Sequence, residues 1–161
     1  MRKLILVGLI TTIACTQRVN AQDKINMLVK KEVVILQSTQ SYQAALQTAR
    51  QAASRLHIPL DLEGYRPHPS AGLTLSKAAC ANNGFEYPTY IPRGYGLVAD
   101  SAFVSVEYSN GYEGFTKGYY LVVAAVGQPS AAAVRQTSVT SQRYYADAYT
   151  KRTTVYIGCM H

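Results

Sequence analysis

The side chains able to do chemistry in this chain are few, and their spacing does not suit it. His57, His68 and His161 show no i, i+4 spacing, and neither Cys80 nor Cys159 sits in a Cys-x-x-Cys pair, so the sequence supports no metal site. Cys159-Met160-His161 sets a thiol near a base, yet neighbours in an extended strand point to opposite faces. Asp61 and Glu63 would share one face of a strand, where two carboxylates read as a solvated edge; acid–base work would need a geometry that spacing alone does not supply. No nucleophile, metal set or acid pair can be read. The expectation is a protein that is not an enzyme and carries no metal or cofactor.

Arg93-Gly94-Tyr95-Gly96-Leu97-Val98 opens like an RNA-recognition signature. It fails at the positions that matter, because Leu97 and Asp100 stand where aromatic rings should stack on bases, and the first strand lacks the companion aromatic. Nucleic acid is therefore not an expected partner, and Gly94 and Gly96 read as turn residues.

The unusual feature is tyrosine, 13 residues against three phenylalanines and no tryptophan. Its flat apolar ring and terminal hydroxyl suit carbohydrate and protein surfaces alike. Tyr87, Tyr90, Tyr95, Tyr108 and Tyr112 fall in one stretch. The plainer reading is that these rings fill a small core while their hydroxyls stay wet.

The elements that must position these residues are clearest from Val33 to Leu62. Val33, Val34, Ile35 and Leu36 form a mostly β-branched run suited to a central strand. Tyr42, Ala45, Leu46, Ala49, Ala52, Ala53 and Leu56 then fall on one stripe at helical period, with Gln43, Gln47, Arg50 and Ser54 opposite. Ser41 is placed to cap that helix, and Pro59 stops it near Ile58. Leu60 and Leu62, alternating with Asp61 and Glu63, read as the returning strand.

Residues 63–117 lack helical period and are rich in Gly, Pro, Tyr and Asn, which is long for a connection. Phe103 to Tyr108 is a clear strand there, followed by the turn Ser109-Asn110-Gly111; Gly72 to Ser76 is a shorter one, with Ser76 able to cap a brief helical turn through Cys80. A second, weaker half follows: a buried strand from Tyr119 to Val126, a helix from about Ser130 to Tyr145 entered through Pro129, and a strand from Thr153 to Ile157. The order is β-α-β, insertion, β-α-β.

Residues 1–21 read as a secretory signal: Arg2 and Lys3, an apolar run from Leu4 to Ala14, and the small-x-small site Val19-Asn20-Ala21. That run is too short to span a bilayer as an ordinary transmembrane helix. A lipoprotein box at Thr12-Ile13-Ala14-Cys15, with a lipid anchor on Cys15, is the rival reading. Of the 16 Lys and Arg residues, Arg2, Lys3 and Arg18 belong to the signal, so 13 basic against 9 acidic residues leave a net charge near +4 instead of +7. A mildly basic chain is helped toward an anionic polymer or surface without requiring one. Residues 22–161 make one domain of ordinary size. Cys80 and Cys159 are then an even count in an oxidising compartment and are expected to pair, closing a loop worth roughly 4 kcal/mol on the chain-entropy model. Two buried free thiols are the alternative.

The two βαβ-like halves, with strands VVILQS and YYLVVAAVG, an alanine-rich helix after the first, and a closing VYIG, resemble the sporulation-related repeat (SPOR) domain of exported bacterial proteins. The resemblance covers about 70 residues in two pieces, and this chain differs in its long insertion (about 64–117) between the second and third strands and in lacking a membrane anchor. It implies an α+β fold of ferredoxin-like βαββαβ order, with two helices on one face of the sheet. It also implies a periplasmic or secreted, non-enzymatic module that binds peptidoglycan glycan strands lacking stem peptides. On that reading Tyr120 and Tyr156 are candidate ligand-binding residues on the sheet face away from the helices, with Arg93 and Lys117 at its margin. The alternative function is a periplasmic protein-binding module, an inhibitor or immunity-type protein, whose hot spots would lie in the tyrosine-rich insertion.

Overall fold

The computed structural model describes residues 27–62, 64–96 and 101–158. The segment read as a secretory signal, with Cys15, and also Glu63, Leu97, Asp100, Cys159 and His161 lie outside them. The chain is an α+β fold in which β1 (Leu28–Thr39), β4 (Ser101–Tyr108), β5 (Tyr120–Gly127) and β6 (Tyr149–Tyr156) form a four-stranded antiparallel sheet of order β4-β5-β1-β6. Among the described residues the three α-helices are α1 (Tyr42–Leu56), α2 (Lys77–Asn82) and α3 (Ala132–Gln142), and β2 (Tyr65–His68) with β3 (Gly72–Leu75) forms a separate hairpin. No helix of the described residues is long and apolar enough to cross a membrane.

The helix α1 forms where its sequence places it. The Ser41 hydroxyl accepts from the Ala44 amide at 3.3 Å, and His57 closes the helix in the left-handed conformation at φ 54°. Ala45, Ala49, Ala52 and Leu56 are its buried residues. Their small side chains let the helix lie close on Val34, Leu36, Val104, Val106, Val122 and Ala124, and α3 adds Val134 to the same layer. Ser76 caps α2 as its sequence suggests, accepting from the Ala79 amide at 3.1 Å.

Three expectations are corrected. Leu60 to Leu62 is not the returning strand: Leu60 makes only an isolated parallel bridge to Val104, and the second strand of the sheet is β4. The insertion accordingly lies between α1 and β4 instead of between the second and third strands. Finally, the sheet face away from the helices is not open. Val33, Ile35, Leu121, Val123 and Val126 on that face are covered by Tyr112 and Phe115 from the β4–β5 connection, all buried.

Candidate functional site

Alternation along β4 turns Val104 and Val106 toward the helices and Ser105 and Glu107 toward the second face, opposite Val123 and Leu121. Glu107 is 95 % withdrawn from solvent (relative exposure 5 %), an arrangement tolerated only when a carboxylate is fully bonded. Its Oε2 accepts from the Tyr90 hydroxyl at 2.6 Å, the Tyr112 hydroxyl at 3.2 Å and the Arg93 amide at 3.2 Å, while Oε1 accepts from the Ser105 hydroxyl at 2.8 Å. Tyr90 completes the relay by accepting, through its oxygen, the Tyr108 amide at 2.9 Å.

Arg93 lies flat over the Phe103 ring, its guanidinium carbon 3.4 Å from the ring centre. Its Nη1 donates to the Phe103 carbonyl at 2.8 Å and the Ser105 hydroxyl at 3.2 Å, and Nη2 donates to the Ser101 carbonyl at 2.7 Å. The buried Nε has no hydrogen-bond partner among the described residues. Burial pushes the guanidinium down to about 10, opposed by the attraction of Glu107, so Arg93 stays charged at neutral pH. Tyr90 and Tyr112 are raised well above the usual phenol value, first by burial and then by the Glu107 charge; the same causes push Tyr65 up to about 12.

These groups border a cleft of about 220 Å³ along the outer edge of β4. Tyr42, Tyr65, Ile91, Pro92, Tyr95 and Phe103 supply most of its wall, and Arg93, Glu107 and Asp61 its charged part. From Arg93 the chain crosses the second face of the sheet toward β6, where the Gly96 amide donates to the Tyr156 carbonyl at 2.9 Å. Gly94 makes that crossing possible: at φ 94° a side chain is strained, and a Cβ there would stand 2.9 Å from a Val126 methyl.

The four expected ligand-binding residues are not brought together. Arg93 alone lines the cleft. Tyr120 packs on the helix side, edge-on to Tyr42 with ring centres 5.4 Å apart and against Tyr108 at 5.2 Å, and its hydroxyl donates to the Gly72 carbonyl at 3.1 Å. That contact ties the β2–β3 hairpin to the sheet. Tyr156 pairs in register with Leu28, on the parity of Val34 and therefore of the helix face, and lies on the opposite edge strand, three strand spacings or roughly 14 Å from β4. Lys117 donates through Nζ to the Asn110 and Tyr112 carbonyls, both at 3.1 Å, and braces the β4–β5 connection.

The insertion tyrosines are mostly structural: Tyr112 is buried, and Tyr90 packs edge-on to Tyr65 with its hydroxyl spent on Glu107. Sequence reasoning missed Glu107, and its signal was faint. One carboxylate alternating with Val106 and Tyr108 reads as the wet face of a strand, and its partners stand 14 and 17 residues upstream and five downstream. Cys80 is buried in α2 as a free thiol, and its expected partner Cys159 lies outside the described residues. His57 closes α1, and the His68 ring accepts from the Ser70 and Ala71 amides, both at 3.3 Å, in the β2–β3 turn. Comparison of the chain with protein-family models, with curated proteins and with solved structures returns no match.

Proposed function

We propose that the protein is an exported, non-enzymatic binding module with a ferredoxin-like βαββαβ core, and that its ligand is a cell-wall glycan held in the cleft at the β4 edge. The observation that carries this reading is the meeting of aromatic walls with the charged guanidinium of Arg93 in one cleft. A sugar ring offers C–H faces to aromatic side chains and hydroxyl or carboxylate acceptors to such a donor. The cleft, about 220 Å³, is smaller than the roughly 300–1,000 Å³ of a drug-sized site and suits one ring of a longer chain. Glu107 is fully occupied in holding Tyr90, Tyr112, Ser105 and the Arg93 backbone, which favours a structural role over acid–base work. The binding surface in this reading is the edge cleft instead of the sheet face expected from the SPOR-like pattern, because Tyr112 and Phe115 cover that face.

The test is retention on purified, peptide-stripped sacculi at low salt, with folding checked by circular dichroism. Tyr95→Ala, in the cleft wall, is expected to weaken retention about tenfold or more, on the scale of an aromatic hot spot. Tyr156→Ala, on the far edge strand, should leave it within twofold. Absence of retention by the unsubstituted protein would sink the glycan reading. A protein partner is the second reading, favoured by β6, which ends the sheet order with no further strand beside it among the described residues.

A further inference from the structure

Among the described residues the β4 edge is closed and the β6 edge is not. Strand β6 pairs with β1 in uninterrupted register, and the Ile157 amide donates to the Met27 carbonyl at 2.8 Å. Antiparallel pairs alternate between bonded and non-bonded, so the odd-numbered residues of β6 bond to β1 and the peptide groups of Thr150, Arg152 and Thr154 point outward. Their three N–H groups and the Thr150 and Arg152 carbonyls have no partner among the described residues; the Thr154 carbonyl takes a 3.5 Å contact from the Thr153 hydroxyl. Beyond them, the outward Tyr156 carbonyl is capped by Gly96. An unpaired row of this kind is a template for another strand.

Exposed apolar surface gathers at the same edge. Of the seven large hydrophobic residues exposed among those described, Tyr149 and Tyr156 end β6, Leu28 is the cross-strand partner of Tyr156, and Tyr144 lies in the turn before β6. Leu60, Tyr87 and Val139 lie elsewhere, Val139 on the outer side of α3 beside Arg135, Gln136 and Arg143.

Charge decides what the edge takes. Bonded pairs across a two-fold between two copies would match Thr150 with Thr154 and Arg152 with itself, and like charges directly opposite are destabilising. Shifting that register by two residues either moves the pairing onto the capped Tyr156 or matches Thr150 with Arg152 and sets Lys151 directly opposite itself. Lys151 is turned to the second face, its Nζ 4.7 Å from the centre of the Phe115 ring, so it does not guard the edge. Arg152 is bonded through Nε to Glu32 on β1 at 3.0 Å, and its side chain is 72 % exposed.

We propose that β6 is a strand-addition site for an extended segment of another protein, carrying an acidic residue that stands opposite Arg152 and completes a Glu32–Arg152–carboxylate row across three strands. Main-chain bonds supply the affinity and that row the register. The site is independent of the glycan reading: its probe is a peptide, and loss of sacculus retention leaves it intact.

The probe is the acetylated, amidated peptide Ser-Val-Glu-Val-Thr-Ser, with a counterpart in which Lys replaces Glu, titrated into the protein and followed by amide hydrogen exchange and NMR shifts. The acidic peptide is expected to protect the Thr150, Arg152 and Thr154 amides and to bind at least tenfold more tightly than the basic one. Thr154→Pro deletes an outward N–H at an edge position where proline is tolerated, and should lose tenfold or more. Arg152→Glu leaves every backbone group in place and should invert the preference. Equal binding of the two peptides, no protection at the three amides, or an unchanged preference in Arg152→Glu would overturn the proposal. So would protection of the same amides without peptide as concentration rises, since the occupant would then be a second copy.

Discussion

The two edges of the sheet are finished in opposite ways. Along β4, the Val104 amide donates to the Pro59 carbonyl at 2.7 Å and its carbonyl accepts the Asp61 amide at 2.8 Å; Arg93 takes the Phe103 and Ser101 carbonyls, and Tyr90 takes the Tyr108 amide. Along β6 most of the outward groups meet no partner among the described residues, and the side chains are Thr, Arg and Tyr. One edge is sealed by an insertion that brings charge and phenols into a low-dielectric place. The other keeps polar groups where water can satisfy them. Stability should therefore hang on side-chain chemistry at β4 and hardly at all at β6.

The sharpest way to break this comparison is Glu107→Ala. It leaves Arg93 buried without its compensating charge and removes the acceptor shared by Tyr90 and Tyr112, so a loss of about 3–5 kcal/mol is expected in urea denaturation. Glu107→Gln, which keeps shape and some of the bonds, should cost less. Equal stability of Glu107→Ala and the unsubstituted protein would show that the network is dispensable.

Alkaline pH tests the same edge without a substitution. Tyr65, Tyr90 and Tyr112 have folded-state pKa values raised above the ordinary 10.0, so the folded state holds their protons more tightly and their contribution is fully present below pH 10. It is lost as pH rises through the folded values, for Tyr65 between 10.0 and about 12. Arg93, lowered from 12.5 to about 10, works in the opposite sense, since its charged form is the one that burial disfavours. Three phenols outweigh one guanidinium, and the urea midpoint should fall between pH 10 and 12. A Tyr90→Phe variant should flatten that fall; a midpoint independent of pH in this range would refute the assignment.

The smallest effect belongs to the open edge. Arg152→Ala removes a pair with Glu32 in which the arginine side chain is 72 % exposed and the carboxylate 15 %, and with one partner in solvent it should change stability by about 1 kcal/mol, weakening further with salt. A loss comparable with that of Glu107→Ala would erase the distinction between the edges.

What the sequence determined by itself was local. The stripe from Tyr42 to Leu56, capped by Ser41 and bounded by Pro59, becomes a helix because its period, its cap and its stop agree within one stretch. The cap of α2 at Ser76 and the buried strand through Leu121 to Val126 are legible for the same reason. Tertiary structure decided everything that required choosing between distant segments. Leu60 to Glu63 and Ser101 to Tyr108 both alternate, yet one strand can pair with β5, and the longer run rich in β-branched and aromatic residues holds that place while Leu60 is left a single bridge at its rim. Tyrosine likewise has two natural habitats, and only the fold sent Tyr90 and Tyr112 to Glu107 and left Tyr156 half in water. A carboxylate between Val106 and Tyr108 is written as a wet residue. It is buried because Tyr90, Arg93 and Tyr112, remote in the chain, arrive together to bond it, and no local pattern encodes such a meeting.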